Sequence, residues 1–262
     1  MKAKRLVAVL TAVSLMAGLC GMAEPNADQK IKLEQNSTST PALGGKLLYD
    51  GYTLQWADDF NGSELNRDDW NIELHAPGWV NNELQAYVDS PENIYLENGS
   101  LVIKPIEQKN PDGTVSYTSG RVNTQNKHDF KYGIFEARIK VPEGQGFLPA
   151  FWMMPTNENL YGQWPRCGEI DIMEVLGDDT DKSYGTIHYG NPHSESQGSY
   201  QLTAGSFSEE YHNFAVEWEP GRISWYVDGC LIHTENDWYS ATEGQGEITY
   251  PRSEEHTSEL QS

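Results

Sequence analysis

The stretch FAVEWEPGRISWYVDGCLIHT (214–234) decides the fold class, because apolar and polar residues alternate along it in short runs. A first run from Phe214 to Trp218 leads into Pro220-Gly221, and a second from Ile223 to Val227 leads into Asp228-Gly229. A period of two residues is typical of strands buried on one face, and both dipeptides favour turns. The stretch therefore predicts a β-meander of three strands joined by two tight turns.

The same pattern continues through the rest of the chain. Residues 93–108 are predicted to form two strands joined at Asn98-Gly99, which is a strong two-residue hairpin signal. Residues Phe135 to Val141 alternate apolar with charged side chains, and from Lys46 onward we find neither a helical period nor an internal repeat. Regularly spaced strands without helices predict an all-β sandwich or barrel.

Composition narrows the functional classes. The 262 residues fit one large domain or two small ones, and 37% hydrophobic residues supply a core, which excludes disorder for most of the chain. A net charge of −21 disfavours nucleic acids and polyanionic substrates, whereas a neutral ligand is unaffected. The eight Trp and fourteen Tyr residues fit core packing, and they also suit flat uncharged ligands such as sugars.

The N-terminus is predicted to be a secretory signal peptide of residues 1–23. Three basic residues between Lys2 and Arg5 precede an apolar run from Leu6 to Leu19, and Gly21-Met22-Ala23 offers a cleavage site. Cys20 raises the alternative of a lipoprotein, but the bulky residue before it disfavours lipidation. Polar residues 24–44 are predicted to be a flexible linker, and no further stretch reaches membrane-spanning length. We expect a secreted protein.

The C-terminal segment RSEEHTSELQS (252–262) is predicted not to belong to the protein. It follows Pro251 abruptly, and it matches the translation of a common sequencing-library adapter codon by codon. The alternative is a charged, disordered tail. We therefore expect the folded domain to occupy residues 45–251 and to be truncated after Pro251. After export, Cys167 and Cys230 could pair or could remain two buried thiols.

The segment CGEIDIMEVLG (167–177) carries three carboxylates on one predicted strand. Side chains alternate along a strand, so Glu169 and Asp171 share a face. Glu174 lies at an odd offset from Glu169, which would place it on the opposite face of a regular strand. A β-bulge near Met173 would add one residue and return Glu174 to the face of the other two carboxylates. We therefore predict a bulge there.

Such a cluster has more than one interpretation. It could be a solvent-facing acidic edge or a set of calcium ligands on the strand. It could also be the carboxylate pair of a glycoside hydrolase, in which one group attacks the anomeric carbon and the other protonates the leaving oxygen. In the second case the intervening Asp171 would help to separate the pKa values of Glu169 and Glu174.

The stretch WPRCGEIDIMEVLG (164–177) closely resembles the signature of glycoside hydrolase family 16 in its bulged form, with two residues between Asp and the second Glu. The resemblance extends over nearly all of residues 46–251, and it is greatest to the bacterial laminarinases, which act within β-1,3-glucan. It implies a curved antiparallel β-sandwich, a concanavalin A-like jelly roll, whose concave face forms the substrate cleft. The other matching stretches are WADDFNGSELNRDDWN (56–71), WVNNELQAYVDSPENIYLENGSLVI (79–103), SGRVNTQNK (119–127), YGIFEARIKVP (132–142), AFWMMP (150–155) and GTIHYG (185–190).

The resemblance also assigns roles to residues. It implies that Glu169 is the nucleophile, Glu174 the general acid/base and Asp171 the assisting carboxylate of a retaining endo-β-1,3-glucanase. It implies no cofactor for catalysis and no metal in the catalytic site, with a structural calcium ion in many complete members of the family. The expected partner is a β-glucan polysaccharide, and we expect a monomer.

Five further residues match positions that the family uses to bind substrate. Trp152 and Trp164 would stack on sugar rings, Asn82 and Arg121 would hydrogen-bond sugar hydroxyls, and His188 would lie beside the carboxylates. The alternatives are that both Trp rings are core residues, that the histidine is structural, and that the arginine pairs with an acid of the cleft.

The chain departs from the family pattern in two places. Arg166 stands where many relatives have a small residue, so it could alter the cleft wall. The family's final strands, which complete both sheets and contribute to the calcium site, are expected to be missing after Pro251. Their absence would expose strand edges, so we expect the chain as written to be unstable or prone to aggregation.

Other activities stay compatible with the sequence. Mixed-linkage endo-1,3(4)-β-glucanase activity is one, because loops such as 75–92 and 155–166 shape the cleft. Agarase or carrageenase activity is another, although the negative charge counts against sulfated polymers. A transglycosylase would share every catalytic residue. A non-catalytic glucan-binding protein would be favoured by loss of one of the three carboxylates, and all three are present.

Overall fold

The computed structural model describes residues 5–10, 49, 51–158, 162–239, 241–242, 246–247 and 257–261. Twenty strands, numbered in chain order, have their bounds within these residues. Most of them belong to two large sheets, here named sheet A and sheet B. No helix in the described part of the chain is long and apolar enough to span a membrane.

Sheet A has six strands. In spatial order they are β17 (Cys230–Glu235), β16 (Arg222–Val227), β15 (His212–Glu219), β10 (Gly133–Ile139), β1 (Arg5–Leu10) and β2 (Tyr52–Asp58). The predicted meander is confirmed, since β15, β16 and β17 are consecutive antiparallel neighbours.

Sheet B has seven strands, and each pairs with its neighbours in antiparallel fashion. In spatial order they are β14 (Ser194–Gln201), β13 (Lys182–Tyr189), β12 (Glu169–Val175), β11 (Ala150–Met154), β20 (Thr257–Gln261), β9 (Arg121–Asn123) and β3 (Asn71–Ile72). The three predicted carboxylates lie on β12 near the middle of this sheet.

Three smaller sheets complete the described structure. They consist of β4 (Gln85–Tyr87) with β8 (Val115–Ser119) and β7 (Ile106–Lys109), of β5 (Ile94–Glu97) with β6 (Ser100–Ile103), and of β18 (Ala241–Thr242) with β19 (Gly246–Glu247). The predicted hairpin at Asn98-Gly99 is confirmed. Both residues have positive φ, 52° and 72°, as the favoured two-residue hairpin turn requires.

Sheets A and B enclose one main hydrophobic core. Phe135, Phe214 and Trp225 from sheet A and Phe151 and Ile170 from sheet B are each at most 1% exposed and belong to the same cluster. The Trp225 indole also joins the sheets directly, because its Nε1 donates to the backbone oxygen of Asp171 at 2.8 Å. The contact anchors β12 from behind, on the face opposite to its carboxylates.

Two strands come from segments that the sequence analysis set apart from the domain. β1 lies within the predicted signal peptide and pairs in parallel with β2 and β10, while β20 lies within the predicted adapter-derived segment. Strands β9 and β11 do not pair with each other, and β20 fills the place between them. Any extended segment there satisfies the backbone groups of the flanking strands, so these pairings do not test the predicted boundaries. The linker 24–44 lies outside the described residues.

Candidate active site

The bulge predicted in β12 is confirmed by its pairing on both sides. Against β13, Asp171 pairs with Thr186 and Glu174 with Tyr184, so two residues of β12 oppose one of β13. The register against β11 shifts at the same place. Ile172 and Met173 are both 1% exposed in the core, and the next residue, Glu174, returns to the outer face.

The neighbouring strands place further side chains on this outer face. Glu169 is directly opposite His188 on β13, and Asp171 is directly opposite Trp152 on β11. Trp164, in the loop before β12, donates its indole N–H to Glu169 Oε2 at 2.6 Å. A donor aimed at a carboxylate stabilises its charged form, so Trp164 favours ionised Glu169.

Burial is the largest influence on the pKa values of the three carboxylates, and it raises them. Burial first, and then the negative charge of Asp171, raise the pKa of Glu169 to about 8, against the hydrogen bond from Trp164 and the charge of His188. Burial also raises the pKa of Asp171 well above its usual value, with a further contribution from Glu174. The Asp171 side chain is 5% exposed, so it is the deepest of the three.

The pKa of Glu174 is raised by the same cause. Burial raises its pKa, nearby Glu195 raises it further, and His188 opposes both. Burial and mutual repulsion both oppose charging all three carboxylates at once, so the cluster keeps protons to a higher pH than free carboxylates do. The form of the cluster that can react is the one in which Glu169 is ionised and Glu174 keeps a proton, and because the pKa of Glu169 is about 8, the ionised fraction of Glu169 grows as the pH rises toward that value.

His188 lies beside the carboxylates, as predicted. Its Nε2 is 3.3 Å from Asp171 Oδ2, and its Nδ1 is 3.0 Å from His193 Nε2. Asp171 Oδ2 is buried and makes no hydrogen bond among the described residues. The ring of Trp164 lies 5.0 Å from that of His193 and 6.0 Å from that of His188, so these side chains form one wall of the site.

A second cluster of polar residues lies toward β9 on the same sheet. Arg121 is 7% exposed and its Nε donates to Glu73 Oε2 at 2.9 Å, while Asn123 donates to Glu73 Oε1 at 2.6 Å. Burial opposes ionisation of Glu73, but Arg121 and the hydrogen bonds from His75, Asn123 and Arg121 hold its pKa below the usual range. The predicted alternative that Arg121 pairs with an acid is therefore present in the structure.

Aromatic rings surround Arg121. Its guanidinium carbon lies 4.4 Å from the ring centre of Trp152 and 5.1 Å from that of Trp79. Trp152 is 3% exposed, so its ring packs beneath the arginine. Trp79 is 47% exposed and stacks on His75, with ring centres 3.5 Å apart. Trp164 is 48% exposed, so open indoles lie on both sides of β12.

Asn82 and Arg166 lie in loops. Asn82 is exposed, with a φ of 56°, in the turn that follows Trp79. Arg166 reaches the turn after β13, where its Nε donates to the side-chain oxygen of Asn191 at 3.1 Å when the Asn191 amide is oriented to accept. Arg166 therefore supports the loop that carries Trp164.

The chain matches the Glycosyl hydrolases family 16 over residues 77–257. It belongs to this family. Over 235 residues it is 36% identical to Glucan endo-1,3-beta-glucosidase A1 of Niallia circulans, covering 82% of this chain and 33% of that protein. Over 193 residues it is 40% identical to Glucan endo-1,3-beta-glucosidase of Cryptopygus antarcticus, covering 71% of this chain and 70% of that protein.

Solved structures agree with this family assignment. The catalytic domain of an endo-1,3-beta-glucanase (laminarinase) from Thermotoga petrophila RKU-1 is 36% identical, with a TM-score of 0.63, covering 77% of this chain and 82% of that one. The predicted family and its antiparallel β-sandwich are therefore confirmed. The chain spans a third of the length of the Niallia circulans relative.

Several residues of this family 16 site were not found by sequence reasoning. Glu73, His75 and Trp79 line the Arg121 cluster, and His193 and Glu195 adjoin His188. A signal existed for Asn123, which is two residues from Arg121 and so shares its face. The other contacts depend on how distant strands pair, which local patterns do not reveal.

Cys167 plays no part as a nucleophile. It is a free, buried thiol, so it does not form the disulfide with Cys230 that the sequence permitted. Burial raises the pKa of the Cys167 thiol to about 12, with further contributions from Glu158 and Glu169. A thiol with so high a pKa is protonated and inert at neutral pH.

Proposed function

We propose that the protein is a secreted endo-acting glycoside hydrolase that cleaves β-1,3-glucan with retention of configuration. The observation that carries the proposal is the bulge in β12, which brings Glu169, Asp171 and Glu174 to one face of sheet B. Two of the three are glutamates with raised pKa values, and one of these accepts a hydrogen bond from Trp164.

In the first step, ionised Glu169 attacks the anomeric carbon while protonated Glu174 gives its proton to the leaving glycosidic oxygen. The bond to the leaving sugar breaks as the bond to Glu169 forms, which yields a covalent glycosyl-enzyme. Trp164 stabilises the Glu169 anion that attacks, through its N–H donor. His188 lies next to this cluster, with its Nε2 3.3 Å from Asp171 Oδ2.

In the second step, Glu174 is ionised and takes a proton from an incoming water molecule. The water oxygen attacks the anomeric carbon from the side opposite Glu169, which leaves as a carboxylate. Two inversions give net retention, and both glutamates return to their starting protonation states. No cofactor takes part in either step.

β-1,3-Glucan is the substrate class that the site and the relatives favour together. The half-exposed rings of Trp79 and Trp164 offer apolar surfaces on both sides of β12, which suits a chain of uncharged sugars. The two similar curated proteins are named as glucan endo-1,3-beta-glucosidases. Mixed-linkage endo-1,3(4)-β-glucanase activity is the second candidate, since the same rings would accept either linkage.

The test is release of reducing sugar from laminarin, lichenan and agarose by the full-length protein, including the gene's own sequence after Pro251. We expect release from laminarin to exceed that from lichenan, with none from agarose. Product size on laminarin distinguishes internal cleavage from release of single sugars at chain ends. Equal or faster release from lichenan would favour the mixed-linkage activity, and binding of laminarin without cleavage would make this a binding protein.

Secretion is proposed from the signal-like residues 1–23. The N-terminus of protein recovered from the culture medium of the source organism tests it. We expect the mature chain to begin at Glu24. A lipid-modified Cys20 would instead show a lipoprotein, and an N-terminus that retains Met1 would contradict export by this route.

A further inference from the structure

Two histidines and a glutamate meet at the turn between β13 and β14, next to the carboxylate cluster. His188 and Glu195 are directly opposite each other on the two strands, and His193 lies in the turn that joins them. His188 Nδ1 is 3.0 Å from His193 Nε2 and 3.4 Å from Glu195 Oε2. One ligand atom from each residue lies within 4.8 Å of the other two.

We propose that these three side chains bind a divalent transition-metal ion such as Zn²⁺. Zinc binds histidine nitrogen at about 2.0–2.1 Å in a tetrahedral arrangement, so two of its ligand atoms lie about 3.3 Å apart. The 3.0 and 3.4 Å separations therefore leave room for an ion with small side-chain adjustments. His193 and Glu195 are exposed, so water can supply the fourth ligand and the ion can enter from solvent.

The other ring nitrogen of His188, Nε2, also supports the proposed metal site. Its Nε2 lies 3.3 Å from Asp171 Oδ2, a buried oxygen that makes no hydrogen bond among the described residues. A metal-binding histidine commonly directs its other ring N–H to a carboxylate, which fixes the ring orientation and the tautomer. An ion on Nδ1 places the proton on Nε2, where it faces this oxygen at 3.3 Å.

The donor set selects the class of ion. Two imidazole nitrogens and one carboxylate suit Zn²⁺, Co²⁺, Ni²⁺ and Cu²⁺, whereas Ca²⁺ and Mg²⁺ prefer shells made of oxygen ligands. The site is therefore a poor match for the structural calcium ion expected of complete family members. It requires residues from β13, from the turn that follows and from β14, so it exists only when this hairpin is folded.

The position of the ion predicts an effect on glucan binding. This prediction rests on the proposed function, whereas the binding of the ion does not. The ring of His193 lies 5.0 Å from that of Trp164, whose N–H donates to Glu169. A hydrated ion held at His193 takes up space beside this exposed indole, where a sugar would stack. We therefore expect the ion to compete with glucan and to raise KM.

The direct test is calorimetric titration of the untagged, EDTA-treated full-length protein with ZnCl₂ in the absence of glucan. We expect one ion per chain, and a Co²⁺-loaded sample should show the visible absorption of a tetrahedral site. Removing a ligand by His193→Gln or by Glu195→Gln should weaken binding by at least about 10- to 100-fold, since even the loss of a supporting residue has that effect.

His212→Gln is the matched control. His212 also contacts a carboxylate, with Nδ1 2.7 Å from Asp228 Oδ2, but it lies on β15 in the other sheet. The control should bind zinc as the unmodified protein does. Both ligand substitutions fall on exposed residues, so thermal unfolding should show that the variants are folded. No binding at millimolar zinc, or equal affinity in the unmodified protein and in both ligand variants, would overturn the proposal.

Asp171→Asn separates the supporting role of this carboxylate from its catalytic role, because the readout is zinc affinity. We expect about 10-fold weaker binding, and unchanged affinity would contradict the role given to Asp171 Oδ2. Zinc should raise the KM for laminarin of the unmodified protein but not that of His193→Gln. For each protein, the KM with zinc is compared with the KM of the same protein without metal. A protein that binds zinc but cleaves no glucan would retain the metal site and refute the proposed hydrolase.

Discussion

Trp164 makes the hydrogen bond that most favours the ionised form of Glu169. Its indole N–H donates to Glu169 Oε2 at 2.6 Å, and it is the strongest influence that opposes the effects of burial and of Asp171 on the pKa of Glu169. The ring is also half-exposed, so in the proposed function one side chain would serve both the nucleophile and the surface on which a sugar stacks.

Replacing Trp164 by Phe should move the acid limb of the pH profile. The nucleophile must be ionised, and without the donor its pKa rises, so activity should be lost at a higher pH as the solution is acidified. The measurement is kcat/KM against pH. Trp79→Phe is the control, because Trp79 packs on Arg121 and His75 and contacts no catalytic carboxylate; it should change KM without shifting the limb.

Arg121 should not tolerate lysine. Its guanidinium lies over the Trp152 ring and its Nε is bound to Glu73, and lysine can reproduce neither the planar stacking nor that geometry. We expect Arg121→Lys to lower the free energy of unfolding by about 1–3 kcal/mol. Arg67→Lys alters an exposed ion pair with Asp89, so it should change the free energy of unfolding by less than about 1 kcal/mol. Denaturant titration compares the two variants.

At the scale of elements, contact between the sheets positions β12. Gly185 of β13 faces the Trp225 ring so closely that a Cβ atom on it would lie 2.5 Å from Trp225 Cδ1. The same indole donates to the backbone oxygen of Asp171. The absence of a side chain at position 185 therefore lets sheet A approach the strand that carries the carboxylates.

Gly185→Ala should therefore weaken both stability and activity. The added methyl must push Trp225 away from β12, and overpacking of this kind costs about 1–3 kcal/mol. Thermal unfolding and laminarin hydrolysis measure the two effects. Ser63→Ala, at an exposed loop position away from sheet B, is the control and should change neither. Unchanged stability in Gly185→Ala would show that the close packing of Trp225 against Gly185 does not hold the two sheets together.

The strands and the bulge could be predicted because both depend on local alternation. The period of two residues in 214–234 marked the meander, and the odd offset between Glu169 and Glu174 marked the extra residue. The partners of these strands depend on pairing between distant segments. For that reason the contact of Arg121 with Glu73, 48 positions away, had no local signal.

The turn after β13 shows the same limit. Spacing alone did not reveal a metal-ligand cluster, because His193 and Glu195 reach His188 only through the antiparallel register of β13 and β14. Asn82 and Trp152 were assigned to substrate by resemblance, and the structure adds that Trp152 is covered by Arg121. Their roles in binding stay predictions.

For the whole molecule, buried acids make stability depend on pH. Burial raises the pKa of buried Glu136, against a hydrogen bond from Tyr49, and it raises the pKa values of Glu169, Asp171 and Glu174. Each group holds its proton in the folded protein at pH values where the unfolded chain has lost it. The folded state therefore binds more protons, and stability falls as pH rises above the ordinary value of about 4.5.

We expect the melting temperature to be higher near pH 5 than near pH 8, by scanning calorimetry at constant ionic strength. The net charge of −21 acts in the same direction, because self-repulsion grows as the remaining acids ionise. Glu136→Gln removes one buried acid, so it should flatten the dependence. A melting temperature that rises steadily from pH 5 to pH 8 would contradict this assignment of buried protons.

The account as a whole depends on Glu169 acting as a nucleophile on β12. The most direct measurement is peptide mass spectrometry after incubation with a 2-deoxy-2-fluoro laminaribioside that carries an activated leaving group, which slows release of the glycosyl-enzyme. The account predicts one added sugar unit on the peptide that contains Glu169, attached to that residue and lost in Glu169→Ala. Attachment to Glu174, or a folded protein that binds the sugar and carries no label, would contradict it.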